Sequence, residues 1–171
     1  MMNNYLLSID PSIKNTGFTL WEKENISNNF IIIWKPIFVK SYSFKNYKGK
    51  RSFYWAINAN NDELDLIIES GFPNMKGSET QDHLRGFIAG QFNKLLTKDM
   101  LISPKEWQNW YLKELRYEED DLFKDKKWNK EKSLYIVGGL IRQQNWNIKI
   151  SNHDEADSLL IGWYYLNKEN K

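Results

Sequence analysis

The sequence predicts a single α/β domain in which helices flank a mixed five-stranded sheet. The beginning of the chain contains three strand-like segments separated by short turns, which is typical of an antiparallel meander. The remainder alternates between helix-like and strand-like segments, which favours a sheet with helices on its faces. A length of 171 residues suits one domain with a sizeable core, and no linker or repeat divides residues 1–171.

Five segments have the composition of strands. The first, YLLSID, is apolar and ends in an acid, and the fourth, LDLIIE, has the same form. Pro36 lies inside the long third segment, and it favours an edge position or a bulge because proline cannot donate a ladder hydrogen bond. The predicted strands are Tyr5–Asp10, 17–22, 30–44, Leu64–Glu69 and 99–102.

Helices are predicted before and after the later strands. Apolar residues recur at helical spacing in 79–96, where small residues would allow close packing. Ser103 is placed to cap a helix in which Pro104 takes the first position. The final helix begins near Ser151 or Asn152. The other predictions are helices over 51–61 and 128–144 and a short extended segment over 148–150.

The composition excludes several classes of protein. The chain contains no cysteine, which excludes disulfides, iron–sulfur ligation and thiolate zinc sites. No apolar run approaches the ~20 residues that a membrane span needs. The first residues lack the basic start of a signal peptide. These features predict a soluble protein of the cytoplasm.

Basic and aromatic residues are concentrated in one stretch of the chain. The formal net charge is only +2, yet no acidic residue lies between Glu24 and Asp62. Basic residues interleaved with aromatic ones are typical of a surface that binds a polyphosphate such as DNA. A solvated lysine edge beside core aromatics explains the stretch equally well. The residues predicted here to contact DNA are Lys45, Lys48, Lys50 and Arg51.

Acidic residues close two of the predicted strands and open the last helix. Asp10 ends the first strand and Glu69 ends the fourth. The segment HDEAD places Asp154 and Asp157 three residues apart, on one face of a helix. Each acid also has an ordinary explanation, namely an Asx-turn, a strand end that reaches water, or helix capping. His153 precedes the helical acids and is either a surface imidazole or an auxiliary member of the same site.

Together the four acids predict a metal-dependent site. If the first and fourth strands are neighbours, Asp10 and Glu69 emerge at the same edge of the sheet, where the last helix can cover them. Carboxylates gathered in this way repel one another unless a cation compensates their charge. Oxygen ligands without cysteine select Mg²⁺ or Mn²⁺. Two such ions can activate a water and stabilise the leaving oxygen of a phosphodiester, so the pattern predicts a nuclease.

At these residues the chain resembles the RuvC-like Holliday-junction resolvases of the RNase H-like superfamily, particularly the shorter phage and viral forms. The resemblance rests on DPSIKNTGFTLWE, LDLIIESGFPN and HDEADSLLIGWYYL, which together span nearly the whole chain. It implies an RNase H-like fold and an endonuclease that holds two Mg²⁺ ions, for which Mn²⁺ substitutes. The catalytic, metal-binding acids that it implies are Asp10, Glu69, Asp154 and Asp157.

The resemblance also implies DNA contacts and a partner subunit. Phe72 matches the place of a phenylalanine that stacks at the junction centre in bacterial members, and its alternative is a core residue. Lys105 and Lys132 lie where family members have phosphate-contacting lysines, and their alternative is a solvated helix surface. Family members are homodimers that nick two strands of a four-way junction. The helix over 79–96 is the candidate interface.

Three other functions stay open at the level of sequence. One is a less selective flap, fork or RNA-processing nuclease on the same fold. Another is an actin-like ATPase or sugar kinase, whose first strand also ends in Asp before a Thr-Gly pair, although 171 residues leave little room for its second domain. The third is a non-catalytic junction-binding protein. The four acids argue against it, because negative charge beside phosphates weakens binding.

Overall fold

A five-stranded mixed sheet forms the centre of the molecule. The computed structural model describes residues 3–12, 14–26, 31–43, 64–71, 78–114 and 127–168. The strands are β1 (Tyr5–Asp10), β2 (Thr16–Ile26), β3 (Ile31–Tyr42), β4 (Leu64–Glu69) and β5 (Leu101–Ile102). Their order across the sheet is β3-β2-β1-β4-β5. The pairs β1–β2 and β2–β3 are antiparallel, whereas β1–β4 and β4–β5 are parallel, which confirms the predicted fold class.

Helices cover both faces of this sheet. In the described residues they are α1 (Ser78–Gln91), α2 (Pro104–Glu114), α3 (Lys130–Gln144) and α4 (His153–Asn167), with a 3₁₀ turn over Lys98–Met100. The Asn129 side chain caps α3 and the Asn152 side chain caps α4, each accepting a hydrogen bond from a backbone N–H of the first turn. Among the described helices, none is long and apolar enough to cross a membrane.

The predicted helix over 79–96 is too long at its carboxyl end. The helix stops at Gln91, and Asn93 takes the left-handed conformation with φ 52°. The N–H of Lys94 then donates to the carbonyl oxygen of Ala89 at 3.1 Å, which closes the helix end. Leu95 therefore leaves the apolar face predicted for it and is 85% exposed.

Other element boundaries also differ from the prediction. The segment 99–102 forms a strand of only two residues, because the 3₁₀ turn takes up its first part. The third helix begins at Lys130 rather than at 128, because Asn129 is its cap. Residues 148–150 form no strand. The predicted helix over 51–61 lies outside the described residues.

Two apolar layers lie on opposite faces of the sheet. Leu6 and Trp21 point into the layer that α2, α3 and α4 complete. Leu7 and Ile9 point into the layer that α1 completes. Neighbouring residues of β1 thus serve different layers, as the period of two in a strand requires. Burial of β1 on both faces fixes its register and therefore the position of its last residue, Asp10.

Helix α4 approaches the sheet closely at Gly162. A Cβ atom built at Gly162 would lie 2.2 Å from Trp21 Nε1 and 2.5 Å from Ser8 Oγ. The indole N–H of Trp21 donates to Ser8 Oγ at 2.9 Å, and Ser8 Oγ donates to the carbonyl oxygen of Ser158 at 2.7 Å. Only glycine allows this contact. It holds the last helix against the strand that carries Asp10.

We expect Gly162→Ala to lower the free energy of unfolding by about 2 kcal/mol or more, because the added methyl group overpacks a buried contact. Gly139→Ala is the matched control, since nothing lies within 4 Å of its Cβ position in α3. Alanine there should be neutral or stabilising by up to about 1 kcal/mol. Urea unfolding of both variants measures the difference. Equal stabilities would show that α4 does not depend on this contact.

Candidate active site

Asp10 and Glu69 meet where β1 and β4 end. The two strands are parallel neighbours and pair Ile9 with Ile68, so the next residue of each strand emerges at the same edge. The carboxyl groups of Asp10 and Glu69 hydrogen-bond to each other. Such a bond between two acids requires a proton on one of them. The sequence prediction that these strands are neighbours is confirmed.

The first turn of α4 brings Asp154 and Asp157 to the same edge. The start of the helix is fixed by Asn152, whose side chain accepts from the N–H of Glu155 at 3.0 Å. The backbone at Gly17 touches this turn so closely that a Cβ atom there would lie 1.9 Å from the carbonyl oxygen of Asp154. The contact between the start of β2 and the start of α4 sets the two helical acids over the strand ends.

The electrostatics show that the four acids form one cluster. The pKa of Asp10 is raised well above its ordinary value, first by burial and then by the charges of Glu69, Asp157 and Asp154. Burial is also the largest cause of the raised pKa of Glu69. Burial, together with the charges of Glu69 and Asp154, raises the pKa of Asp157 to about 7, although hydrogen bonds oppose the rise. Like charges held close together in a buried place have this effect.

Neutral and polar donors hold three of the acids in place. The indole N–H of Trp107 donates to Glu69 Oε1 at 2.9 Å, and Ser133 Oγ donates to Asp157 Oδ1 at 2.5 Å. Asn15 Nδ2 donates to Asp154 Oδ2 at 2.5 Å. His153 Nε2 lies 3.2 Å from Asp154 Oδ1, so its imidazole contacts one of the four acids. The residues that make these contacts lie in the turn between β1 and β2 and on α2, α3 and α4.

Sequence reasoning did not identify three of these donors. Asn15 stands in the turn that follows Asp10, so its place in PSIKNTG is a signal that could have been used. Trp107 follows Lys105 in SPKEW, and Ser133 follows Lys132 in KEKS, but nothing in either motif points to an acid elsewhere in the chain.

The donor set suits a hard divalent cation. Clustered carboxylates are the ligands that Mg²⁺ and Mn²⁺ prefer. The charge of Arg85 lowers the pKa of Glu69, whereas a cation would relieve the repulsion that helps to raise the pKa values of Asp10 and Asp157. As the side chains stand in the described residues, no three of them already form a cage with metal-ligand spacing. Instead the acids bond to each other and to Trp107, Ser133 and Asn15. A cation held here would take the place of the proton that Asp10 and Glu69 share.

The basic and aromatic residues that are predicted to contact DNA differ in where they lie and in how exposed they are. Lys105 is exposed in the first turn of α2. Lys132 is wholly buried, and its ammonium donates to the carbonyl oxygen of Lys127, so it is not the solvated lysine that the sequence allowed. A phosphate contact by Lys132 would require its buried ammonium to become accessible. The predicted contacts outside the described residues are Phe72, Lys45, Lys48, Lys50 and Arg51.

Comparison with solved structures identifies the fold. Over 98% of this chain and 99% of the other, it superposes on a fowlpox virus resolvase in complex with its substrate Holliday junction, with a TM-score of 0.53 and 17% identity. Over 96% of both chains, it superposes on Thermus thermophilus RuvC, with a TM-score of 0.52 and 12% identity. Its fold is that of the RuvC-like Holliday-junction resolvases. No protein-family model matches the chain, and no curated protein is similar to it.

A further solved structure supports the same fold assignment. The same Thermus thermophilus protein in complex with a Holliday-junction substrate gives a TM-score of 0.50 at 11% identity, over 95% of both chains. Near-complete coverage in both directions shows that the three antiparallel strands, the two parallel strands and the flanking helices correspond as a whole. The recognition made from DPSIKNTG, LDLIIE and HDEAD is confirmed at the level of the fold.

The raised pKa values predict how stability depends on pH. The folded protein holds the Asp157 proton more tightly than an unfolded chain, whose pKa is near 3.8, so this contribution is present at low pH. It is lost as the pH rises from about 4 to about 7. Asp10 and Glu69 act in the same direction, because their pKa values are also raised. We therefore expect the melting temperature of the metal-free protein to fall across this range.

Asp157→Asn should flatten this dependence, because asparagine has no proton to lose. Asp99→Asn, at an exposed position next to β5, is the control and should keep the wild-type slope. Calorimetry in a chelator at several pH values gives the melting temperatures. A slope that Asp157→Asn leaves unchanged would contradict the assignment of the titration to this cluster.

Proposed function

We propose that this protein is a divalent-metal-dependent endonuclease that cuts branched DNA, with the four-way junction as its principal substrate. The observation that carries the proposal is the convergence of four acids from β1, β4 and α4 on one end of the sheet. A fold does not by itself specify an activity, whereas the chemistry of this cluster restricts the reactions that the site can support.

The acids are suited to a reaction at a phosphodiester only if cations accompany them. A DNA phosphate beside four carboxylates would be repelled, whereas a carboxylate cluster that holds two divalent ions attracts it. Asp10, Glu69, Asp154 and Asp157 would hold Mg²⁺, or Mn²⁺ in its place. When bound, such ions polarise the phosphate, lower the pKa of an attacking water and stabilise the leaving 3′ oxygen.

The residues of the chain prepare the site for this chemistry. Asp10 and Glu69 must give up the proton of their mutual hydrogen bond, because only ionised carboxylates are strong ligands. Asn15 and His153 flank the two oxygens of Asp154 and fix the plane of its carboxylate. Each acid thereby enters the reaction in a set orientation, which reduces the reorganisation that binding requires.

Branched DNA is the substrate class that the comparisons favour. The fowlpox virus resolvase and the Thermus thermophilus RuvC on which this chain superposes are both described in complex with Holliday junctions. Two symmetric nicks in a four-way junction need two sites related by a two-fold axis, so the proposal includes a homodimer. Helix α1 offers a surface for it, since Gly86 and Gly90 are exposed beside Phe87, whose side chain is 40% exposed.

Asp154→Asn should abolish cleavage while junction binding stays as tight as in the wild type or becomes tighter. The substitution removes a metal ligand and one negative charge but leaves the basic contacts in place. Cleavage is measured with labelled four-way junction, Y-fork, RNA flap and linear duplex in the presence and absence of Mg²⁺, and binding is measured by gel shift in Ca²⁺. Light scattering reports whether the active species is a dimer.

Asp99→Asn again serves as the control, because it removes an equal charge from an exposed position. Loss of both binding and cleavage in Asp154→Asn, with a lowered melting temperature, would assign Asp154 to folding instead. Equal cleavage of all four substrates would replace the junction preference by a broader flap, fork or RNA-processing activity.

The basic stretch should account for part of the salt dependence of DNA binding. Replacing Lys45 and Lys48 by alanine should weaken binding to every DNA shape and reduce the slope of log K against log salt by about 0.9 for each phosphate that is no longer neutralised. Lys98 and Lys113 are exposed on other elements, and replacing that pair removes the same charge. If both pairs change the slope equally, the stretch has no particular part in binding.

A further inference from the structure

Helices α2 and α3 supply one buried donor each to the acid cluster. Trp107 on α2 is 1% exposed and its Nε1 donates to Glu69 Oε1 at 2.9 Å. Ser133 on α3 is fully buried and its Oγ donates to Asp157 Oδ1 at 2.5 Å. Two acids from different elements, one on β4 and one on α4, thus each accept a hydrogen bond from a neutral donor, and Trp128 is a second hydrogen-bond partner of Asp157.

Trp128 connects these two donors. Its Nε1 donates to Ser133 Oγ at 3.1 Å, which leaves the hydroxyl proton of Ser133 directed at Asp157. Its ring packs edge-to-face on the ring of Trp107, with centroids 4.8 Å apart and planes at 80°. Aromatic pairs of this geometry are favourable beyond their buried area. The two hydrogen bonds to the acids therefore belong to one packed unit.

Tyr111 ties this unit to the helix that carries Asp157. Its ring lies 6.2 Å from that of Trp107 and 6.1 Å from that of Trp128. Its hydroxyl donates to the carbonyl oxygen of Leu160 in α4 at 2.9 Å. Helix α4, which carries Asp157, therefore resists movement of either indole ring. The whole arrangement sets Glu69 relative to Asp157.

We infer that Trp107, Ser133 and Trp128 form a positioning unit that decides which oxygen of Glu69 and which oxygen of Asp157 faces the bound cation. The unit engages Glu69 Oε1 and Asp157 Oδ1 and thereby sets how each carboxylate is turned toward a metal. This inference rests on the proposed function, because it concerns the same site. Trp107 and Ser133 are positioning residues, since they act through the acids.

The hydrogen bonds themselves, rather than the packing of the rings, should determine metal affinity. Partners that orient metal ligands typically contribute a factor of about 10 to 100 to metal affinity or activity. Trp107→Phe keeps an aromatic ring in the core but removes the donor to Glu69, and Ser133→Ala removes the donor to Asp157. Each should weaken Mn²⁺ binding by about tenfold or more. Because the two belong to one packed unit, their effects in the double variant should depart from the sum of the single effects.

The test is calorimetric titration of the full chain with Mn²⁺ alone, without DNA. Trp146→Phe is the matched control, because its indole is buried against the rings of Trp21 and Trp163 and supplies none of the hydrogen bonds to the acids described above. Ser133→Thr keeps the hydroxyl and should restore binding relative to Ser133→Ala. The melting temperature of each metal-free variant is recorded, so that affinity is compared only between folded proteins.

The pattern across the variants separates this inference from the proposed function. Tenfold weaker Mn²⁺ binding in Trp107→Phe and Ser133→Ala, with wild-type binding in Trp146→Phe, supports the positioning unit. Wild-type affinity in both test variants overturns it and leaves the nuclease proposal intact. If the wild-type chain itself binds no Mn²⁺, the proposed function fails and the positioning unit fails with it. Should Trp107→Phe not fold, Ser133→Ala and Ser133→Thr decide alone.

Discussion

Repulsion among buried carboxylates at one end of the sheet is the constraint on which the structure depends. Burial raises the pKa values of Asp10, Glu69 and Asp157, and the charges of neighbouring acids raise those of Asp10 and Asp157 further. Their gathering opposes folding near neutral pH, so other parts of the molecule must enforce it. A divalent cation would turn the same repulsion into a binding energy, which is why the cluster indicates a metal-dependent reaction.

The surrounding fold enforces that gathering by rigid means. Burial of β1 between two apolar layers fixes the exit point of Asp10, and parallel pairing with β4 places Glu69 beside it. Close approaches at Gly17 and Gly162 then hold α4 against the sheet at two places along the helix. Secondary structure positions functional groups more accurately than loops do, and here every acid lies at or near the end of a regular element.

A second layer of support comes from hydrogen bonds rather than from charge. Trp107 and Ser133 are neutral donors, so they stabilise ionised acids without neutralising the site. Buried Arg85 donates to the backbone carbonyl oxygen of Glu69 and lowers the pKa of its carboxyl group, whereas Lys132 turns its ammonium to the carbonyl oxygen of Lys127. The site thus keeps its negative charge available for metal ions while its geometry is held by aromatic packing.

The sequence alone determined the mixed sheet and the positions of its acids in the chain. Apolar strands that end in an acid are local patterns, and so is a capped helix that opens with two acids. The sequence did not determine where α1 stops, since the left-handed turn at Asn93 competes with an apolar period that continues to Leu95. Only the tertiary structure decided the donors of the acids. Trp107 and Glu69 are 38 residues apart and Asn15 and Asp154 are 139 apart, so packing, which no local pattern encodes, brings them together.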